Sequence, residues 1–211
     1  MSDSRVAFPA PGCVVECMQG NKPVAHWVLE ANGDTVRLLA PGGRESKLGV
    51  SRLLPWYGPA CNPDQTREAI AKVLEERAAE RDRIGSEVNV LEIWEMAQGE
   101  VARASAPWLA ELAWENPDAD HVAAMGHAVL NCKIHFKFSR PEFEIYDANT
   151  VTRKMEEEEE EGEREDLASV GGEFFRELWG VHERKGSTLK AAEMTAVEVN
   201  DVFGGMVRGL V

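Results

Sequence analysis

The chain has 211 residues, 44% of them hydrophobic, which is ample for a packed core and excludes wholesale disorder. No apolar run approaches the roughly 18 residues that a membrane helix needs, and Met1-Ser2-Asp3-Ser4-Arg5 lacks the basic start and apolar stretch of a signal peptide. The net charge of −14 excludes the overall basic footprint of a dedicated nucleic-acid clamp.

The first module, over residues 1–62, reads as β. Gly12-Cys13-Val14-Val15-Glu16-Cys17-Met18 is a short apolar-rich run that turns at Gly20-Asn21. A second run, over 24–30, is broken by Asn32-Gly33-Asp34, a strong hairpin signal. Residues 35–40 and 45–50 give two more strands on either side of Pro41-Gly42-Gly43, and Ser51-Arg52-Leu53-Leu54-Pro55-Trp56 closes the unit. Five short strands are too few for a sandwich, so a small SH3-like barrel is expected. Residues 63–86 are expected as a connector: Pro63 ends a breaker-rich stretch, Asp64 caps, and a helix runs from about 65 to 84. Its stripe of Ile70, Val73, Leu74 and Ile84 is thin, as for a helix packed on one side only or bridging two modules.

Residues 87–148 carry the clearest pattern. Ser86 is expected to cap a helix over about 88–98 that buries Val88, Leu91 and Trp94, and Gly99 ends it. After a short strand over 100–104, Ser105 caps a second helix with Pro107 in its first turn, burying Leu109, Leu112 and Ala113. A third helix over about 119–131 buries Val122, Met125, Val129 and Leu130. Ile134, Phe136 and Phe138 then alternate with His135 and Lys137, Arg140-Pro141 turns the chain, and Phe143 and Ile145 alternate with Glu142 and Glu144. This order predicts a winged-helix unit, so the fold class is α+β: an SH3-like β-barrel, a connector helix, a winged helix and C-terminal helices. The two modules are expected to be separate folding units.

The remainder reads as an acidic helix or tether over 149–166 and a helical segment over 167–211. Residues 156–166 hold nine acids against one arginine, whereas residues 1–62 hold six basic residues against five acidic ones. Phe174, Phe175, Leu178 and Trp179 give the later segment an apolar face. The ending Gly209-Leu210-Val211 is expected to be a cut inside a longer protein.

Candidate chemistry is sparse. Cys13 and Cys17 point to one strand face, with His26 and Cys61 as conceivable further ligands, yet the spacing is not that of a zinc knuckle, and buried core thiols are expected. Four cysteines without a short secreted framework point to reduced thiols and a cytoplasmic location. His121 and His127 are six apart and share no helix face, so they are expected to face solvent or to cap. Asp118 and Asp120 read as first-turn acids favoured by the helix dipole. Met18-Gln19-Gly20-Asn21 is a turn and not a nucleotide cradle, and no nucleophile elbow is present. The third helix has no Arg, Lys or Gln to read bases, so phosphate contacts are expected from the wing, through Lys133, Lys137 and Arg140, and from Arg44 and Lys47 on the barrel.

Two stretches resemble the N-terminal region of a bacterial branch of the ribonuclease II (RNB) exoribonuclease family. One is Val14-Val15-Glu16-Cys17-Met18-Gln19-Gly20-Asn21-Lys22-Pro23-Val24 with Arg52-Leu53-Leu54-Pro55-Trp56. The other joins Leu91-Glu92-Ile93-Trp94-Glu95, Ala110-Glu111-Leu112-Ala113 and His135-Phe136-Lys137-Phe138. The resemblance spans about residues 12–155. It implies a longer parent protein whose RNB domain holds magnesium on clustered aspartates for processive 3′-to-5′ RNA hydrolysis. This chain has no such aspartate cluster, so it is expected to carry no catalytic residue, metal or cofactor of its own. It would contact RNA weakly and without sequence preference, or pack on the parent's catalytic domain. The alternative is a protein–protein scaffold with no RNA role, and the sequence leaves the oligomeric state open.

Overall fold

Turn chemistry and apolar alternation set the N-terminal strands. A computed structural model of the chain describes residues 9–185, with the side chains at 57, 59, 60, 167 and 170–185 not described. The strands β1 (Cys13–Gln19), β2 (Lys22–Asn32), β3 (Thr35–Leu39) and β4 (Glu45–Gly49) follow one another as hairpins, and a 3-10 turn, Val50–Arg52, leads into β5 (Leu53–Ala60). The β2–β3 loop is Gly33-Asp34 between the paired Asn32 and Thr35, and Gly33 supplies the positive φ, +55°, at its first position. The five strands form one antiparallel sheet in the order β4-β3-β2-β1-β5. A closed barrel is not found: among the described pairings β4 and β5 remain the two edges. The β1–β5 register slips between Cys13 and Val15 and again between Val15 and Cys17. Such bulges bend a sheet, but the 3-10 turn takes the chain across from β4 to the far edge without a ladder that would seal it.

Both faces of this sheet are covered. Cys13, Val15 and Cys17 pack with Val36, Leu38 and Leu53 on one side. Val14, Ala25, Trp27 and Leu39 face the other way, against Ile70 and Leu74 of α1 (Arg67–Glu87). Thr66, not Asp64, caps α1: its hydroxyl accepts from the Ala69 amide, while the Asp64 amide is held by Asn62 in the preceding turn.

The helical part runs α2 (Val90–Ala97), β6 (Arg103–Ala104), α3 (Ala106–Ala113), α4 (Ala119–Asn131), β7 (Phe136–Ser139) and β8 (Glu142–Ile145). Its strands form a three-stranded antiparallel sheet in the order β6-β8-β7. Ser105 caps α3 with Pro107 in the first turn, as its sequence predicts. The cap of α2 is Asn89, not Ser86, and the buried face is Ile93, Trp94 and Ala97, so the expected core residue Leu91 is 48% exposed. The Trp94 indole sets this rotation by donating to the Tyr146 carbonyl at 2.7 Å. Ala113 is exposed for a similar reason: α3 turns Ala106, Leu109 and Ala110 inward.

The two sheets stay separate, yet their cores do not. Leu54 and Trp56 of β5 share one cluster with Trp94, Leu109, Met125 and Phe143. Residues 1–151 form one compact unit, and residues 152–211 form a second. The helix α5 (Ala148–Lys185) begins in the first, where Val151 is buried. Within the second unit the acidic run is helical and exposed, with Arg164 paired to Glu160 at 3.3 Å. The side chains of Phe174, Phe175, Leu178 and Trp179, and the helix expected over 189–211, lie outside what is described. Among the described residues no helix is long and apolar enough to cross a membrane.

Candidate functional site: an arginine-lined cleft backed by a buried charge network

Glu16 stands in the middle of an apolar strand, on the face that carries Val14, and is 2% exposed. A carboxylate so placed is costly unless each oxygen is paired. Its Oε1 accepts from Arg81 at 2.5 Å, and its Oε2 accepts from Trp56 Nε1 and His127 Nε2, each at 2.6 Å. Burial opposes ionisation, but the His127 hydrogen bond and the Arg81 charge outweigh it and hold the Glu16 carboxyl down to about 2. Arg81, 1% exposed, turns its Nε to Asp120 at 2.9 Å, and Arg77 bonds the other Asp120 oxygen.

This network revises three sequence readings. The thin stripe of α1 is complete once Arg77 and Arg81 are counted: 70, 74, 77, 81 and 84 recur at helical spacing. Asp120 is the first-turn acid of α4 as expected and is also buried in the ion-pair network, whereas Asp118 precedes the helix as its N-cap, accepting from the Asp120 and His121 amides. His121 bonds that capping carboxylate at 2.7 Å, but His127 faces inward to Glu16. With both Glu16 oxygens hydrogen-bonded, the cluster is a clasp between β1, β5, α1 and α4. Among the described residues no group of three or more His, Cys, Asp or Glu is arranged to hold a metal ion.

The third helix of the predicted winged-helix unit, which carries no side chain to read bases, is covered on one face. Ala123, Ala124, Met125, Gly126 and Val129 of α4 are buried. Gly126 lies so close to Trp56 that a Cβ there would meet the indole Cη2 at 2.6 Å. On the neighbouring face, a Cβ on Gly85 of α1 would be 3.8 Å from the Ala124 carbonyl. With β5 and α1 on it, this surface of α4 is unavailable to DNA or RNA.

A cleft of about 570 Å³ opens elsewhere, between the first sheet and the β7–β8 turn. Arg44 comes from the end of the β3–β4 turn, Arg52 from the 3-10 turn and Arg140 from the tip of the β7–β8 hairpin, and all three line it. Met18, Leu48 and Ala40 supply an apolar floor, and no carboxylate is in the lining. Arg140 is fixed by donating to the Ser51 carbonyl and by lying over the Phe138 ring, 5.8 Å from its centroid. Arg44 and Arg52 make no side-chain hydrogen bond or ion pair among the described residues. Several guanidinium groups elsewhere are neutralised: Arg37 pairs with Glu30 at 2.5 Å, Arg83 with Glu87 at 2.7 Å and Arg153 with Glu157 at 3.6 Å. Guanidinium groups without a carboxylate partner, gathered on one cavity, have the donors that anions such as carboxylate or phosphate accept from.

Two more polar groups border the cleft, Cys17 and His26, with Sγ and Nδ1 3.7 Å apart. They do not form a nucleophile–base pair. The His26 Nδ1 donates to the Val24 carbonyl at 2.8 Å, and Nε2 accepts from the Gln19 amide at 3.0 Å. The proton therefore sits on the nitrogen that a base would need free. Burial lowers the His26 pKa and keeps the ring neutral; burial likewise raises that of the Cys17 thiol, despite Arg52 and Arg140 nearby. A protonated thiol is a poor nucleophile. None of the four cysteines is in a disulfide, and Cys13 and Cys17 sit in the sheet core as expected.

Of the five residues expected to contact RNA, the structure brings Arg44 and Arg140 together and adds Arg52, which the sequence reading passed over. Lys47 does not line the cleft: it is flanked on β4 by Ser46 and Leu48, which do, so it faces the other way. Lys137 is exposed and pairs across strands with Glu144 at 3.8 Å. Lys133 is exposed after the end of α4 and is not in the lining. Arg52 could have been found from its place beside the final strand, but its partnership with Arg140 spans almost ninety residues and has no local signature.

The chain is α+β, with a cleft lined by three arginines and no carboxylate. Comparisons with protein-family models, with curated proteins and with solved structures each find no match.

Proposed function

We propose that this chain is a non-catalytic RNA-contact module, the front region of a ribonuclease II-type 3′-to-5′ exoribonuclease. The observation that carries the RNA reading is the cleft in which Arg44, Arg52 and Arg140 converge without a carboxylate. Phosphate is the anion that planar, many-donor guanidinium groups suit best. The sheet order β4-β3-β2-β1-β5 supports an SH3-like module, and α2-β6-α3-α4-β7-β8 with strands ordered β6-β8-β7 supports a winged helix whose wing, not its third helix, meets the ligand. The resemblance supplies the parent enzyme; its magnesium and its aspartates belong to the catalytic domain, on which this chain would pack. A protein-scaffold reading is favoured by Leu91 and Met96 on α2, which are 48% and 46% exposed.

Fluorescence anisotropy with single-stranded RNA at about 50 and 200 mM salt tests the RNA reading. Binding should weaken steeply with salt, and alanine at Arg44 and Arg52 together should lower the slope by about two, roughly one per lost phosphate contact. If the chain does not bind RNA at either salt concentration, or the slope is unchanged in the double variant, the scaffold reading takes its place.

A further inference from the structure

The cleft has features that separate one phosphate ligand from another. A surface that tracks a strand is an open groove with aromatic platforms on which successive bases stack. This cleft offers no such platform: no Phe, Tyr or Trp lines it, the His26 ring is buried with both nitrogens hydrogen-bonded, and Phe138 is covered by the Arg140 guanidinium. Its volume of about 570 Å³ falls within the range of small-ligand pockets and suits one nucleotide, not a run of them. Three arginines around one cavity also exceed what an internal phosphodiester requires. A diester carries one charge, whereas a phosphomonoester carries about −1.5 to −2 and three strong acceptor oxygens. The nearest buried acid, Glu16, is fully engaged by Arg81, Trp56 and His127, so it does not draw the cleft arginines away from a ligand.

Resting on the RNA reading above, we propose that the cleft captures the terminal phosphomonoester of an RNA strand. Arg44, Arg52 and Arg140 surround the phosphate, and the first nucleoside lies on Met18 and Leu48, within reach of Gln19 and Ser46. Neutral His26 adds no charge and holds the Gln19 amide in place. The chain then senses the state of an RNA end and does not read its sequence.

The test uses the full 211-residue chain and one single-stranded RNA sequence in three forms: 5′-phosphorylated, 3′-phosphorylated and hydroxyl at both ends. A dye is placed at an internal position, so both ends stay free. One phosphorylated form should bind at least tenfold tighter than the hydroxyl form, and which one it is identifies the end. Millimolar inorganic phosphate should close that gap. Arg52→Ala should abolish it, and Arg52→Lys, which keeps the charge but loses the two-pronged geometry, should restore it only in part. Arg52 is exposed and unpartnered, so both variants should fold, which a thermal melt confirms. If all three RNAs bind equally, end capture is overturned and the general RNA reading stands. If none binds, both are overturned, as they are if only a phosphoserine peptide binds.

Discussion

Glu16 is the residue on which most of the buried polar chemistry depends. Its carboxyl is held at about 2 against an ordinary value of 4.5. A group with a depressed native pKa contributes stability that is fully present above its unfolded pKa and is lost as pH falls toward the folded one. The Glu16 contribution should therefore fade between about pH 4.5 and 2. Urea midpoints followed across that window should fall more steeply for the parent than for Glu16→Gln, and parallel curves would sink this assignment. At neutral pH, Arg81→Ala should cost about 3–5 kcal/mol, because it strands two buried carboxylates. Arg77→Ala should cost less, since that side chain is 33% exposed and water can replace it. Gly126→Ala places a methyl against the Trp56 indole and should cost about 1–3 kcal/mol by overpacking. Adding Trp56→Leu should recover part of that loss, so the two changes should be measurably non-additive in chemical denaturation.

The elements themselves were largely legible. Alternation at Phe136, Phe138, Phe143 and Ile145 located β7 and β8, Asn32-Gly33 located the β2–β3 turn, and Ser105 with Pro107 located the start of α3. These signals are local: each rests on side-chain period or on the backbone demand of a single turn. What failed was the assumption that a face toward the core must be apolar. On α1 that assumption left out Arg77 and Arg81, and on β1 it hid Glu16 inside the run Val14-Val15-Glu16-Cys17. A glutamate and two arginines facing inward were a signal that the two modules share a polar contact. The cleft was half visible: Arg44 and Arg140 could be nominated as exposed cations, but only the long-range bond from Arg140 to Ser51 puts the wing tip beside Arg52. The placement of α4 was also beyond reach, because its coverage depends on Gly126 admitting an indole from β5. Replacing Lys137 should have little effect on RNA affinity compared with Arg52→Ala, and anisotropy on the two variants side by side checks this.

At the scale of the whole molecule, charge is sorted by position. The long acidic run is exposed on α5, while the uncompensated arginines face the cleft in the first unit. The purified chain should not release mononucleotides from RNA with magnesium added, because among the described residues the carboxylates do not converge as two-metal hydrolysis requires. Magnesium-dependent mononucleotide release by protein free of contaminating nuclease would refute that statement. A fragment of residues 1–62 should fail to fold cooperatively, since Glu16 and Trp56 would lose Arg81 and His127; circular dichroism through a thermal ramp tests this.

The clasp around Glu16 also bears on how such a chain can be inherited. One carboxylate is held by groups from β5, α1 and α4, which are far apart in sequence. A genetic exchange at the junction around Pro63, between β5 and α1, would look harmless, because it interrupts no strand or helix. It would nonetheless deliver a naked glutamate to a host lacking the matching guanidinium. The two halves must therefore be passed on and altered together, and grafts in the laboratory should carry residues 9–151 as a single cassette.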